Sequence, residues 1–404
     1  MKNLQKGKFK FFDYLLLISL FAFAVRIFFI FPSLSNSENF LRLDSSGFVP
    51  GLLGFDWGAR APLYSCFIWI FERISHNFYL VAAIFGVIIS SASVFLAGLI
   101  AREYSGCERV GLIAAIFMML NITSIGIAPL VLSDSLFTFY VALQLLYVVR
   151  FYYSGGVKNL TFAIVFGCVA TLTRAVNLPI MLIGIPLLIL LSEKNKVKRL
   201  HYIGLNYICL FVVILPFCVI NWIRGNSFSL EYNSAKALIH NGSAVIAHAE
   251  KRASLEVLSQ EMSEVEKHSQ SIGERNKYIV NRYFEIIKKY PVSFAVTHFP
   301  QVLIMVPDLP SFCENLGITS GDKGTLSVIR QKGIWAGVKY YFGDKAGVII
   351  LAVTPLLLVT LIGYVGCFLA LINYLRYKNY KLLLIFVLFS LFYVVLPGPV
   401  IMPR

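Results

Sequence analysis

Seven ionisable residues scattered along the chain fall at or near one face of a membrane: Arg26, Asp44, Arg60, Asp134, Arg174, Arg224 and Arg404. Charged side chains close to a bilayer interior are costly and commonly mark a site. Carboxylates can take or orient protons, whereas guanidinium groups hold phosphate oxygens bidentately. Two acids among several arginines at headgroup depth point to chemistry on a phosphate-bearing lipid.

The elements that must position these residues are membrane helices. Of 404 residues, 58% are hydrophobic and 14% charged, with a mean hydropathy of +0.74; soluble domains carry about 25% charged residues. Apolar runs long enough for a ~30 Å hydrocarbon core predict spans near 11–31, 77–101, 109–130, 133–153, 159–177, 178–192, 202–223, 347–373 and 381–398. The fold class expected is an all-α polytopic membrane protein of about nine crossings.

Basic residues orient the bundle. With the N-terminus in the cytoplasm, the inner segments carry Lys2, Lys6, Lys8, Lys10, Arg102, Arg109, Arg150, Lys158, Lys194, Lys196, Lys198, Arg199, Arg376, Lys378 and Lys381. This distribution obeys the positive-inside rule and accounts for much of the formal +15 charge without nucleic acid as a partner. Residues 11–31 contain Arg26 and lack a small-x-small cleavage site, so they read as an anchor helix rather than a signal peptide. The seven cysteines are scattered, without metal-ligand spacing, and read as small core residues. The sequence contains no dense Asp/Glu/His cluster that demands a metal, and a divalent cation is left open.

Three modules follow: 1–224, a membrane module containing a first outer loop at 32–76; 225–346, a large and partly helical outer loop; and 347–404, the closing membrane helices. Within the first loop, Ala61 to Ile74 is apolar but too short to cross, which predicts an interfacial or re-entrant helix. Pro62 suits its first turn. The large loop carries 14 Lys/Arg against 12 Asp/Glu. Its stretch Tyr278 to Ile287 is amphipathic and expected to end at Pro291.

A rise of 1.5 Å per residue sets the depth of the charges. Arg174 lies 16 residues beyond Lys158, or ~24 Å toward the outer face, and Asp134 is equally far from Arg150 on the oppositely directed span. Arg26 sits near the outer end of the first span, Arg224 just beyond the seventh, and Arg404 closes the last. Asp44, Asp56 and Arg60 occupy the first outer loop. Plainer roles exist for several of them. Arg26 can snorkel from a helix end, Arg224 can be an interfacial anchor, Asp134 after Ser133 can be an N-terminal dipole partner, and Asp44 and Asp56 can be solvated loop acids. Arg174, inside Thr171-Leu172-Thr173-Arg174, is the hardest to explain that way, because an unpaired guanidinium is unfavourable there.

Five segments share the order and topology of a known superfamily. They are Asp44-Ser45-Ser46-Gly47-Phe48, Arg60-Ala61-Pro62-Leu63-Tyr64, Leu132-Ser133-Asp134-Ser135-Leu136-Phe137, Ala170-Thr171-Leu172-Thr173-Arg174 and Pro216 to Gly225. The chain resembles the GT-C glycosyltransferases, in the branch of protein O-mannosyltransferases and lipid A aminoarabinose transferases, over about residues 10–300. Phe48 stands where Tyr is commoner, no Asn follows Arg224, and the chain stops at Pro403-Arg404 where relatives continue with further helices.

The resemblance implies a GT-C-like bundle and an inverting transfer. A sugar moves from a polyprenyl-phosphate donor to an acceptor glycan, lipid or protein at the outer face. Asp44 is then the candidate base, Asp134 a second acid, and Arg60, Arg174 and Arg224 the donor-phosphate ligands; Arg26, Asp56, Tyr64 and Arg404 are additional candidates. The expected location is a bacterial inner membrane, with the endoplasmic reticulum as the alternative. Competing functions are an O-antigen polymerase or ligase and a lipid-linked sugar transporter or flippase; transporters favour midplane charges, broken helices and repeats.

Overall fold

The computed structural model describes residues 2–41, 45, 48, 60–224, 228–231, 234–267, 271–303, 309–315, 328, 332–343, 346–376, 383 and 385. Among these residues the regular structure is helical throughout. Among the described residues, six helices are long and apolar enough to cross a membrane: Lys10–Ser33, Phe78–Ser105, Asp134–Ser154, Ala175–Ser192, Lys196–Ile223 and Ile349–Arg376. Their exposed faces carry large apolar side chains, such as Leu17 and Phe21, Ile208 and Phe211, and Leu361 and Ile362. Exposed apolar surface on this scale identifies lipid as the surrounding medium. The chain is an integral membrane protein.

The chain divides into two compact units, interleaved in sequence: residues 1–46, 71–150 and 306–378 form one, and residues 47–70, 151–305 and 379–404 the other.

In the first unit, α1 (Lys2–Phe28) packs on α3 (Phe78–Ser105) and α4 (Glu108–Met119). Phe11, Leu15, Val94, Leu99 and Ala115 fill that contact. Close approach depends on small residues, as is usual where lipid removes the hydrophobic drive for helix association. A Cβ on Gly111 would stand 2.7 Å from the Gly98 carbonyl oxygen, and one on Gly98 would stand 2.4 Å from Leu15 Cδ1. Gly106, at φ 68°, ends α3 in the left-handed conformation that glycine adopts without strain.

The expected span at 109–130 is interrupted. α4 stops at Met119, and Asn121 caps a separate short helix, α5 (Ile122–Ile127), accepting the Ser124 N–H at 2.8 Å. A side-chain acceptor at this point offers the backbone an alternative to continuing the helix. α6 (Asp134–Ser154) then begins; its residues through Arg150 belong to this unit. α14 (Leu309–Glu314) and α16 (Ala346–Arg376) pack with α5, with Phe29, Ile125, Phe312 and Ile349 in the shared core. α15 (Ile334–Phe342) precedes α16. The expected span at 381–398 lies outside the described residues except at 383 and 385.

In the second unit, α7 (Val157–Thr173) and α8 (Ile185–Ser192) pack against α9 (Lys196–Ile223). Between α7 and α8 the chain passes through a 3-10 turn at Ala175–Asn177 and a π-helical turn at Ile180–Gly184. Irregular backbone at membrane depth must find other partners, and α9 supplies them. Asn206 Nδ2 donates to the Met181 carbonyl at 2.9 Å, and the Tyr207 hydroxyl to that of Leu182 at 2.9 Å.

α2 (Pro62–Ile74) is a helix over the apolar stretch too short to cross, with Pro62 at its first position. The large loop folds into α10 (Ser234–Glu250), α11 (Ser254–Lys267), α12 (Ile272–Lys289) and α13 (Pro291–Leu303). Amphipathic α12 buries Ile279 and Ile286 and ends just before Pro291, as its pattern predicts. Arg282 clamps Glu261 through two hydrogen bonds of 3.0 and 2.8 Å, tying α12 to α11.

Candidate functional site

In the second unit the structure brings together two of the predicted arginines and one acid that sequence inspection did not single out. α7 ends at Thr173, and Arg174 follows with extended backbone (φ −152°, ψ 125°). The break is held by a buried amide: Asn177 Nδ2 donates to the Gly167 carbonyl at 2.8 Å and to Thr171 Oγ1 at 3.3 Å. Arg174 therefore leaves the helix at its end rather than projecting from an unbroken apolar cylinder. Arg60 lies just before α2, with its guanidinium 5.7 Å from the centre of the Phe48 ring. Phe48 in turn meets buried Tyr64 edge-to-face at 5.1 Å. The aromatic of the first-loop motif and the tyrosine of the Arg-x-Pro-Leu-Tyr motif thus form one support beneath Arg60.

Glu231 completes the group. Its Oε2 accepts the Ala61 backbone N–H at 3.2 Å, at the start of α2. Unsatisfied N–H groups and the helix dipole make such a position favourable for an anion. The Arg60 and Arg174 guanidinium groups act on the same carboxyl. Burial pushes the Glu231 pKa above its ordinary range, while Arg60, Arg174 and the Ala61 N–H pull it back. Glu231 is set in place from α9. Buried Asn221 donates through Nδ2 to the Ser229 carbonyl at 2.7 Å and that of Leu230 at 3.3 Å, and Ser229 Oγ donates to the Glu231 carbonyl at 3.2 Å. A faint signal for Glu231 exists in the sequence: it is the first charge after Arg224 in an otherwise uncharged stretch following a membrane helix.

Arg224 caps the end of α9 and is exposed. Arg60 and Arg174 are among the cations that act on Glu231.

The first unit holds Arg26 and Asp134. Arg26 is fully buried, and it neither snorkels to a surface nor stands unpaired. Its Nε donates to Ser90 Oγ at 2.9 Å and its terminal nitrogens to Ser124 Oγ at 3.0 Å and to the carbonyls of Met118, Ala22 and Met119 at 3.2, 3.3 and 3.5 Å. Two of these carbonyls close α4, where a helix runs out of internal donors. The guanidinium joins α1, α3, α4 and α5 across the break at Leu120.

Asp134 opens α6 and is half-buried. It lines a cavity of about 290 Å³ together with Asn121, Ser124, Ser90, Ser93 and Thr138, a hydroxyl-rich wall inside a membrane unit. The first outer loop reaches the segment before Asp134 at two points. Val131 N–H donates to the Phe40 carbonyl at 2.9 Å, and Ser45 Oγ donates to the Val131 carbonyl at 2.7 Å. Asp44, Asp56 and Arg404 lie outside the described residues. Among the described residues no group of three or more His, Cys, Asp or Glu side chains is placed to hold a metal ion.

Compared with protein-family models and with curated proteins, the chain finds no match.

Proposed function

We propose that the protein is a membrane glycosyltransferase that moves a sugar from a polyprenyl-phosphate donor to an acceptor at the outer face, with inversion. The observation carrying this reading is the pairing of Arg60 and Arg174 around an anionic position at the start of α2. These groups suit the phosphate of a lipid-linked sugar, because guanidinium forks and helix-start amides both favour phosphate oxygens.

Displacement at the anomeric carbon needs the acceptor hydroxyl to lose a proton and the departing phosphate to be stabilised. The acceptor oxygen bonds to the anomeric carbon as the bond to the phosphate oxygen breaks. The phosphate departs as a stable anion, so no general acid is obligatory, in contrast to the paired carboxylates of glycosidases. Asp44 is the proposed base and Asp134 a second acid that orients the acceptor. Support comes from the attachment of Phe40 and Ser45, which bracket Asp44 in sequence, to Val131 just ahead of Asp134. The bacterial inner membrane, with a cytoplasmic N-terminus, is the proposed location.

Deletion of the gene, followed by profiling of glycolipids and glycoproteins, tests this reading. A product lost on deletion should return with the wild type and stay absent with Asp44→Asn, which removes the base without changing size. Restoration by Asp44→Asn at the wild-type level would remove Asp44 from the mechanism.

A second reading, transport of a lipid-linked sugar, draws on the two broken helices, at Leu120–Asn121 and at 174–184. Such breaks are a feature of transporters. Reconstituted protein that moves the lipid between leaflets but transfers no sugar would favour it.

A further inference from the structure

The cationic position at the start of α2 already contains an anion belonging to the protein. Glu231 accepts the Ala61 N–H and lies within the field of both Arg60 and Arg174. A donor phosphate held by the same arginines would meet this carboxylate, and two negative groups sharing one site repel. We propose that Glu231 is a resident counter-anion which the donor phosphate forces to take up a proton, making donor binding proton-coupled. This inference rests on the assignment of Arg60 and Arg174 to the donor phosphate.

The anchoring of Glu231 supports exchange rather than a permanent ion pair. The residue is half-buried and sits in a short connection behind α9, held from behind by Asn221 and Ser229 through backbone carbonyls. Charged and polar groups facing the carboxyl, among the described residues, include Arg60, Arg174 and the Ala61 N–H. Burial has already moved it toward the protonated form.

The sign follows from linkage. An incoming phosphate raises the Glu231 pKa further, so binding takes up a proton between the free-state and bound-state pKa values. Affinity is then greatest on the acid side and falls as pH rises through that window, by at most about tenfold per pH unit. A resident anion also sets a threshold against adventitious anions, because any competitor must overcome the same carboxylate.

The test uses the full chain in phosphatidylcholine nanodiscs, with the methyl ester of polyprenyl phosphate as the probe. This phosphodiester keeps a single negative charge across pH 5.5–8.5, so the probe contributes no titration. Wild-type affinity should fall on the order of tenfold from pH 6 to pH 8. Glu231→Gln should bind about tenfold more tightly at pH 8 and show a flat pH profile. Weaker binding by Glu231→Gln, or a wild-type pH slope in that variant, would overturn the exchange and leave Glu231 as a support for the arginines. Arg174→Ala separates the two claims. If it loses affinity while Glu231→Gln matches the wild type, the exchange fails and the phosphate site stands. If Arg174→Ala binds as the wild type does, or the wild type does not bind the probe, the phosphate assignment fails and the exchange with it. Monodisperse elution of each variant confirms folding.

Discussion

Arg26 in the first unit and Arg174 in the second both interrupt apolar sequence, and their surroundings differ in kind. Arg26 is sealed from solvent and spends its donors on neutral oxygens: two serine hydroxyls and three backbone carbonyls. Arg174 stands half-exposed on a helix break, close enough to act on the charge of Glu231 and accompanied in this by Arg60. A guanidinium whose partners are all fixed and neutral repairs structure. One that shares a single carboxylate with a second cation is placed to meet another anion. An arginine at membrane depth is therefore diagnostic only once its partners are known.

The largest effect is expected from Arg26→Ala. It would strip a donor from Ser90 and Ser124 and from the carbonyls closing α4, in a setting where unsatisfied groups cost about 1–3 kcal/mol each. With partial relaxation, the loss should be about 3–5 kcal/mol, seen as aggregation or early melting in size-exclusion profiles taken after stepwise heating. Arg26→Lys should recover only part of it, because an ammonium cannot reach the same fan of acceptors. A well-folded Arg26→Ala that fails to bind donor would break the contrast and bring Arg26 into the site.

Arg174→Ala should reverse that pattern. Removal of one charge-assisted contact is worth about 1.5–3 kcal/mol, so affinity for a polyprenyl phosphodiester should fall by about one to two orders of magnitude. Thermal stability should hardly move, since the backbone break is kept by Asn177. Arg174→Lys should rescue part of the binding. Unchanged binding in a folded Arg174→Ala protein would make this arginine structural as well.

The contrast was only half legible in the sequence. Hydropathy located the six long apolar helices, the short helix near the end of the first loop, and amphipathic α12 with its stop before Pro291. Each depends on neighbours in the chain. The break after Met119 depends on one amide, Asn121, inside a run apolar enough to read as continuous. Hydropathy averages over such a residue, and the role of Arg26 was hidden because the break creates it. Glu231 is a tertiary fact of the same sort: its hydrogen-bond partner Ala61 is 170 residues away, and no local pattern joins them.

Asn221→Ala should have an intermediate effect. It deletes the donor to the Ser229 and Leu230 carbonyls and loosens the connection that presents Glu231. A cost of about 1 kcal/mol in stability is expected. If Glu231 competes with the phosphate, looser presentation should tighten donor binding at pH 8 by a few-fold. If Glu231 instead props up the arginines, binding should weaken. Binding isotherms on the same preparations sharpen the distinction between a fixed and an exchangeable partner.

The smallest effect is expected from Arg224→Ala, although its place in the sequence suggests a phosphate ligand equal to Arg174. Arg224 is exposed at the end of α9, where a cation has a modest role of its own. Beside the last carbonyls it offsets the helix dipole, an interaction worth about 0.3–1 kcal/mol and weakened by salt. A charge at an exposed helix end attracts a lipid phosphate across a screened path, which alters encounter more than final affinity. Donor affinity should therefore change by about twofold at low ionic strength, and that difference should vanish near 0.5 M salt. The Arg174→Ala deficit should persist there, because its site is partly withdrawn from solvent. A salt-resistant loss as large as that of Arg174→Ala would extend the phosphate cradle past the end of α9 and place three arginines on the donor.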